Sequence, residues 1–203
     1  CKQIKSVEKN GWKMNYVLTS SDGLRISEVY YRNKLIINNA KLVDWHVSYS
    51  GTDGFGYSDA VGCPEFSQAA VVAVSEPKIS ELVQDGKTTG FVLEQMYQSE
   101  QWPRPCNYNY IQRYEFYNDG RFSVSAASLG RGCGNNGTYR PVTRICFANE
   151  KNNFSEWSAE QPGWQQWNTE QWRLQNSQTN YNAEGYQYKI ADATGTGFYM
   201  MPG

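Results

Sequence analysis

The chain lacks the features that mark several common protein classes. Its 203 residues contain a single histidine, His46, so it cannot supply three imidazole ligands to one metal ion. Lys and Arg number 19 against 20 Asp and Glu, and their scatter leaves no basic patch for nucleic acid or anionic lipid. The longest apolar run, residues 68–74, is far shorter than the roughly 20 residues of a membrane-spanning helix. We therefore expect no nucleic-acid partner and no transmembrane segment.

The composition that remains is that of a folded domain. Hydrophobic residues make up 39% of the chain and aromatic residues 15%. A chain of this length buries about 70% of the surface that its unfolded form exposes. Nothing along it resembles a linker, an internal repeat or a low-complexity block. We expect residues 1–203 to form a single domain.

Alternation of apolar and polar residues with period two follows turn signals at several points. Residues 24–26 and 186–190 alternate in this way directly after Gly23 and Gly185, and residues 122–126 do so after the turn signal at 118–120. This pattern predicts half-buried strands that follow tight turns. Residues 69–74 lack alternation and are rich in Val, as in a strand covered on both faces, although a short buried helix has the same pattern. The sequence predicts an all-β fold, a large antiparallel β-sandwich.

Five cysteines occur, and no Cys-x-x-Cys pair is among them, which argues against a zinc ribbon and for disulfides. Cys133 and Cys146 flank a Gly-rich excursion, so we expect them to pair, with about 3 kcal/mol of stabilisation in the loop-closure model. Cys63 and Cys106 are then left to pair with each other, and Cys1 remains outside both bonds. Disulfides predict an oxidising compartment, extracellular or at the cell surface.

Cys1 has two interpretations. A mature chain that begins with Cys is what cleavage of a bacterial lipoprotein precursor produces, and this would anchor the protein to a membrane through lipid on Cys1. A sequence cut at an arbitrary point looks the same.

Four tryptophans lie between residues 157 and 172: Trp157, Trp164, Trp167 and Trp172. Such side chains stack on sugar rings or form an adhesive face for a partner, with Trp164 and Trp167 as the binding candidates. The alternative, which we favour, is that they pack between sheets. Because Trp172 begins an apparent strand, we expect it to be in the core and at least one of Trp164 and Trp167 to be partly exposed.

Residues 107–110 read Asn-Tyr-Asn-Tyr and lead into an alternating segment. This resembles the Asn-Tyr-(Asp or Glu)-Tyr motif of copper amine oxidases, whose first Tyr is oxidised to topaquinone by a copper ion held on three histidines. On this resemblance Tyr108 stands at the quinone position. Asp53, in the Asp-Gly-Phe-Gly of residues 53–56, is similar to the region that supplies the family's catalytic base.

Further segments follow the family's order along the chain. They are residues 23–31, 40–43, 62–64, 144–147 and 172–176, with 185–186 and 202–203 after them. The resemblance implies the family's supersandwich-like β-domain, here stapled by disulfides. The matched region stops at about the middle of that domain, which is consistent with a fragment of a longer one.

The departures from the family concern the metal. The family has His-x-His five residues before the Arg that matches Arg144, and this chain has Gly137 and Tyr139 there. Copper(II) sites favour imidazole nitrogens, so we expect no bound metal and neither copper nor topaquinone as cofactor. Asn109 also replaces the acidic residue of the motif. We therefore interpret the chain as a pseudoenzyme, a secreted or cell-surface binding or structural module on a degenerate scaffold.

Two other functions stay open. In an active primary amine oxidase, Tyr108 would become topaquinone and Asp53 would abstract a proton from the substrate imine. In a carbohydrate-binding or adhesin sandwich, the Trp-rich segment would be the platform. The partner is unknown, with a homo-oligomer or a cell-surface partner as the candidates.

Single residues also have a simpler interpretation. His46 with Asp44 could ligate a metal, but a lone His beside Trp in a strand is more often packed or hydrogen-bonded. Asp53 before Gly54 is typical of an Asx-turn. Tyr108 and Tyr110, two positions apart, are expected on one face of a strand and in a core or groove.

Overall fold

The computed structural model describes residues 1–49, 56–63, 71–134, 136–148 and 153–203. Every regular element in these ranges is a β-strand, as the sequence predicts. No helix among these residues is long and apolar enough to cross a membrane. The chain divides into two compact units, Cys1–Cys146 and Phe147–Gly203. Whether both belong to one folding domain stays a prediction.

The described residues of unit 1 form twelve strands, the last of which extends one residue past the unit boundary. In chain order they are β1 (Lys5–Lys9), β2 (Trp12–Leu18), β3 (Leu24–Tyr31), β4 (Lys34–Ser48), β5 (Tyr57–Asp59), β6 (Val61–Gly62), β7 (Val71–Ala73), β8 (Lys78–Gln84), β9 (Lys87–Gln98), β10 (Asn109–Tyr117), β11 (Phe122–Ser128) and β12 (Thr138–Phe147).

These strands form two sheets. The first has the order β1-β2-β3-β4-β12, with β5 paired to β4, and the second has the order β11-β10-β9-β7-β6, with β8 paired to β9. Of the pairs with a described register, only β6 with β7 is parallel. Tight turns join many neighbouring strands, such as β10 and β11 around Gly120, whose φ is +94°. Such a backbone conformation suits glycine because it has no Cβ.

The two sheets pack against each other through buried side chains. Trp12 of β2 lies 5.0 Å from Phe116 of β10 between ring centroids. The Gln112 side chain bridges the two sheets at the start of β3. Its Oε1 accepts a hydrogen bond from Leu24 N at 2.9 Å, and its Nε2 donates one to Leu24 O at 2.8 Å. Such bonds replace the water that both polar groups lose on burial. The predicted β-sandwich is confirmed.

Unit 2 is a smaller sheet. Its strands are β13 (Asn153–Ser158), β14 (Gly163–Gln166), β15 (Tyr188–Ala191) and β16 (Gly197–Met200), in the order β14-β13-β15-β16 and all antiparallel. Residues 167–187, between β14 and β15, contain no strand.

The predicted pairing of the cysteines is wrong. The disulfides are Cys1–Cys63, with 5.6 Å between Cα atoms, and Cys106–Cys133, with 4.1 Å. Cys146 is a free thiol. The presence of disulfides agrees with the predicted oxidising compartment.

Backbone hydrogen bonds explain the observed pairs. The β10–β11 hairpin continues beyond the strands, because Asn107 and Arg131 exchange two backbone hydrogen bonds of 3.1 and 2.8 Å. This places Cys106 beside Cys133. By contrast, Cys146 lies near the far end of extended β12, about 26 Å along the strand from Thr138. The short distance in sequence between Cys133 and Cys146 does not reveal that an extended strand separates them in space.

Cys1 and Cys63 meet at the end of β2. Lys2 N donates to Leu18 O at 3.0 Å, and Cys63 N donates to Thr19 O at 2.9 Å. Lys2, next to Cys1, and Cys63 itself are therefore hydrogen-bonded to two consecutive residues at the end of β2. A Cys1 sulfur bonded to Cys63 is not available for a thioether to lipid in the same molecule.

Candidate functional site

The candidate site is built around Tyr108 and Tyr110, at the start of β10. Their rings lie on one face, stacked at 24° with 5.7 Å between centroids, as the two-residue spacing predicts. Tyr110 is fully buried and Tyr108 is half-buried. Asn109 between them is buried and points to the other side, as alternation along a strand requires.

Strands β4 and β5 supply the groups that hold Tyr110. Trp45 and Asp59 are Cα partners across the β4–β5 pair, so their side chains project from the same face. Trp45 stacks on Tyr110 with 4.2 Å between centroids. The Tyr110 hydroxyl donates to Asp59 Oδ2 at 2.9 Å. The pairing of β4 with β5 therefore gives Tyr110 both an aromatic and a polar contact.

Tyr108 belongs to a cluster of three phenols with Tyr49 and Tyr139, which we call the phenol cluster. The Tyr108 and Tyr49 hydroxyls share a hydrogen bond of 2.8 Å, and those of Tyr49 and Tyr139 lie 3.4 Å apart. The Tyr139 ring lies 6.3 Å from Tyr108 and 6.4 Å from Tyr110 between centroids. Each phenol thus contacts at least two aromatic neighbours.

The segment after the β10–β11 hairpin covers the cluster closely. Cys133 N donates to the Tyr49 hydroxyl at 3.1 Å, and the Tyr108 hydroxyl lies 3.7 Å from Cys133 Sγ. A Cβ added at Gly137 would lie 2.9 Å from a Tyr49 ring carbon, and one added at Gly132 would overlap the Tyr139 hydroxyl. The backbone approaches the phenols as closely as it does because these positions are glycine.

Burial and neighbouring groups raise the pKa of Tyr108, Tyr110 and Tyr139. Burial raises the pKa of Tyr108 above its ordinary value, and the hydrogen bond with Tyr49 raises it further. The pKa of Tyr139 is raised for the same two reasons. Burial and the charge of Asp59 raise the pKa of Tyr110. Burial also raises the pKa of Asp59, although the hydrogen bond from Tyr110 opposes this effect.

The described groups around Tyr108 do not suit copper. They are phenols, the sulfurs of a disulfide and two glycines, whereas copper(II) sites favour imidazole nitrogens. His46 projects from the face of β4 opposite to Trp45 and hence away from Tyr110. Across the described ranges, no three His, Cys, Asp or Glu side chains are grouped to hold a metal ion.

The other candidates from the sequence have mixed outcomes. Asp53, the candidate base, lies outside the described residues. His46 and Asp44 lie on one face of β4, where the Asp44 carboxylate accepts a hydrogen bond of 2.9 Å from Ser58 Oγ. The prediction that Trp172 lies in the core is wrong, because it is 95% exposed in the irregular segment after β14.

The remaining tryptophans of unit 2 are half-buried, which confirms the expectation for Trp164 and Trp167. Trp157 and Trp164 are partners across β13 and β14, with 5.5 Å between ring centroids. Trp167 lies 4.7 Å from Phe154 between ring centroids. These contacts fix the rings while part of each remains exposed.

Glu156 of β13 ties the irregular segment to the sheet of unit 2. Its Oε2 accepts from Arg173 Nε at 2.7 Å and from Trp167 Nε1 at 3.2 Å, and its Oε1 accepts from Gln187 Nε2 at 3.3 Å. The Arg173 guanidinium also lies over the Trp167 ring, 5.2 Å from its centroid. The carboxylate thus satisfies three donors from distant positions in the sequence.

Sequence reasoning missed Tyr49, Trp45 and Asp59 as members of the site around Tyr108. Tyr49 has no motif of its own, and nothing local signals its contact with Tyr108. The positions of Gly137 and Tyr139 relative to Tyr108 were available only through the family resemblance.

Neither a protein-family model nor a curated protein sequence matches the chain. Two solved structures of Pichia pastoris lysyl oxidase are similar to it. One has a TM-score of 0.52 and 15% identity, over 98% of this chain and 38% of the oxidase chain. The other has a TM-score of 0.49 and 14% identity, over 91% and 35%.

This chain therefore spans less than two fifths of the length of either oxidase chain. At this identity the likeness concerns the fold alone. The fold is copper amine oxidase-like, which confirms that part of the family resemblance.

Proposed function

We propose that the chain is a non-catalytic, extracellular binding or structural module on a copper amine oxidase-like scaffold. The observation that carries this proposal is the hydrogen bond of 2.8 Å between Tyr108 and Tyr49 inside the packed phenol cluster. Tyr108 stands where the family resemblance places the quinone precursor. Its surroundings offer phenols, glycines and a disulfide where a copper site requires imidazoles.

The packing of the cluster supports a structural role for Tyr108. A residue that must be oxidised on its ring needs room for the metal and for oxygen beside it. The Tyr139 ring lies 6.3 Å from the Tyr108 ring between centroids. At Gly132 and Gly137 the backbone lies so close to the phenol cluster that an added Cβ would crowd it. Folds persist when their catalytic groups are lost, so a scaffold kept for recognition or assembly is physically ordinary.

The proposed location is outside the cell or at its surface, in agreement with the two disulfides. A lipid anchor on Cys1 would require the Cys1–Cys63 bond to be absent. We propose that the module acts on a cell-surface partner or a second copy of itself.

The alternative is an amine oxidase, with Tyr108 as topaquinone and Asp53 as base. The fold likeness to a lysyl oxidase favours it. The test measures the copper content of purified protein after aerobic exposure to Cu(II), together with hydrogen peroxide release from primary amines. The proposal predicts less than stoichiometric copper and no peroxide. Bound copper with amine-dependent peroxide that Tyr108→Phe abolishes would establish the enzyme instead.

A further inference from the structure

A short stretch of chain between two anchored points covers the phenol cluster. At one end, Gly132 O accepts a backbone hydrogen bond of 3.3 Å from Cys106 N. At the other end, Thr138 begins β12, which pairs with β4. The described residues between these two points, which we call the latch, form no strand. They are Cys133, Gly134, Asn136 and Gly137.

Cys133 links the latch to two phenols. Its N donates to the Tyr49 hydroxyl at 3.1 Å, the Tyr49 and Tyr108 hydroxyls share a hydrogen bond of 2.8 Å, and the Tyr108 hydroxyl lies 3.7 Å from Cys133 Sγ. A disulfide sulfur has no proton to donate, so the Tyr108 hydroxyl is the donor to it and Tyr49 is the donor to Tyr108. The latch and both phenols thus form a closed ring of hydrogen bonds.

The other contacts of the latch contribute little that would keep it closed. Gly134 and Gly137 have no side chain to bury, and Cys133 and Asn136 are exposed. Because burial of apolar surface is the main stabilising term of a fold, a segment without it has low local stability. The covalent bond from Cys133 to Cys106 is therefore the strongest restraint on the described part of the latch.

That disulfide is also the more accessible of the two. Cys106 and Cys133 are both exposed, whereas Cys63 in the other disulfide is 4% exposed. Thiol–disulfide exchange requires access to one sulfur and departure of the other as a thiolate. Attack on exposed Cys1 would leave the thiolate on buried Cys63, which is unfavourable. A reducing thiol should therefore open Cys106–Cys133 first.

We propose that Cys106–Cys133 is a redox-controlled latch, whose reduction by a dithiol opens the phenol cluster to solutes. One thiolate of the dithiol forms a mixed disulfide with one cysteine and releases the other as a thiol. The second thiol of the dithiol then releases the remaining cysteine and leaves the dithiol oxidised to its own disulfide. The inference goes beyond the proposed function and does not depend on it.

The first measurement is the order in which the disulfides open. The folded full chain is incubated with graded dithiothreitol, alkylated with iodoacetamide and analysed by peptide mapping. We expect alkylation of Cys106 and Cys133 at concentrations about tenfold lower than those that open Cys1–Cys63, because of the difference in access. Circular dichroism establishes that the chain remains folded at these concentrations.

The second measurement is the accessibility of the phenols in the alkylated chain. Acetylation of Tyr49 and Tyr108 by N-acetylimidazole should rise about tenfold once the latch opens, since local opening exposes both hydroxyls. Two other tyrosines serve as internal references. Tyr57 is 75% exposed and Tyr110 is fully buried, so the acetylation of each should stay the same.

Two double variants provide matched controls. Replacement of Cys106 and Cys133 by serine should expose Tyr49 and Tyr108 to acetylation without any reductant. Replacement of Cys1 and Cys63 by serine should leave both phenols protected, because that disulfide makes no contact with the latch among the described residues. If either variant fails to fold, the reduced and alkylated chain still tests the proposal.

Opening of Cys1–Cys63 before Cys106–Cys133 would overturn the proposal. Unchanged acetylation of Tyr49 and Tyr108 after Cys106–Cys133 has opened would also overturn it, as would equal exposure of both phenols in the folded variant without Cys1 and Cys63. An equal rise at Tyr110 would show general unfolding and count against a latch. Failure of the proposed function is a different result, because it appears as bound copper and amine oxidation in the chain with both disulfides intact.

Discussion

Replacing Gly132 with alanine should destabilise the fold by crowding the phenol cluster. The added Cβ would overlap the Tyr139 hydroxyl and lie 2.8 Å from the Tyr49 hydroxyl. Neither phenol can withdraw freely, because Tyr139 packs against Tyr108 and Tyr110 and Tyr49 is hydrogen-bonded to Tyr108. The strain must therefore move a ring, the backbone, or both.

The expected cost is that of overpacking, about 1 to 3 kcal/mol in the free energy of unfolding. In a chain of 203 residues, each kcal/mol lowers Tm by roughly 2 to 4 °C. Urea denaturation followed by tryptophan fluorescence measures the free energy directly. Gly134→Ala is the matched control, because the nearest atom to its Cβ would be Asn136 Oδ1 at an ordinary 3.5 Å.

A double-mutant cycle isolates the contact with Tyr139. Tyr139→Phe removes the hydroxyl that the new Cβ meets, so Gly132→Ala should cost about 1 kcal/mol less in that background. Equal costs of Gly132→Ala in both backgrounds, or equal stability of the Gly132→Ala and Gly134→Ala variants, would refute the packing described for the cluster.

Three further predictions concern stability, pH and thiols. Trp45→Ala should cost about 3 to 5 kcal/mol of unfolding free energy because Trp45 is buried against Tyr110, whereas Trp172→Ala should leave Tm nearly unchanged. Thermal unfolding measures both variants, and equal shifts in Tm would contradict the burial of Trp45. Burial raises the pKa of Tyr108 and Tyr110 in the folded chain, so stability should be retained below their unfolded pKa of about 10 and fall as pH rises above it. Tyrosinate absorbance should then show their ionisation only together with unfolding by circular dichroism, and ionisation of all tyrosines in the folded chain would argue against the buried cluster. Under non-reducing conditions in denaturant, maleimide should label Cys146 alone, and a crosslinked peptide containing Cys146 would contradict the pairing.

The fold class was predictable because its signals are local. Strand β11 follows the turn at Gly120 with the predicted alternation, and the same holds for β3 after Gly23. The placement of Tyr108 and Tyr110 on one face also follows from spacing alone. In each case, a turn residue or a period of two determines the result within a few positions.

The candidate site was predictable only in part. Tyr108 and Tyr139 came from the order of family motifs, and the structure brings them together. Tyr49 and Asp59 could not be predicted. Tyr49 contacts Tyr108 and Asp59 contacts Tyr110 through the packing of one sheet on the other, which no local pattern encodes.

The errors share a physical origin in long-range geometry. Proximity in sequence suggested that Cys133 pairs with Cys146, but the continuation of the β10–β11 hairpin brings Cys106 to Cys133. Trp172 resembled the start of a strand, yet the segment around it is irregular and is tied to β13 through Glu156 and Arg173.

The most direct test of the account concerns the chemical state of Tyr108. Peptide mass spectrometry of the segment that contains Tyr108, after aerobic incubation of the folded chain with Cu(II), measures whether the ring has been oxidised. We expect the mass of an unmodified tyrosine, with Tyr49 and Tyr139 also unmodified. The mass of a quinone at Tyr108 would contradict the claim that this residue serves as a packed phenol.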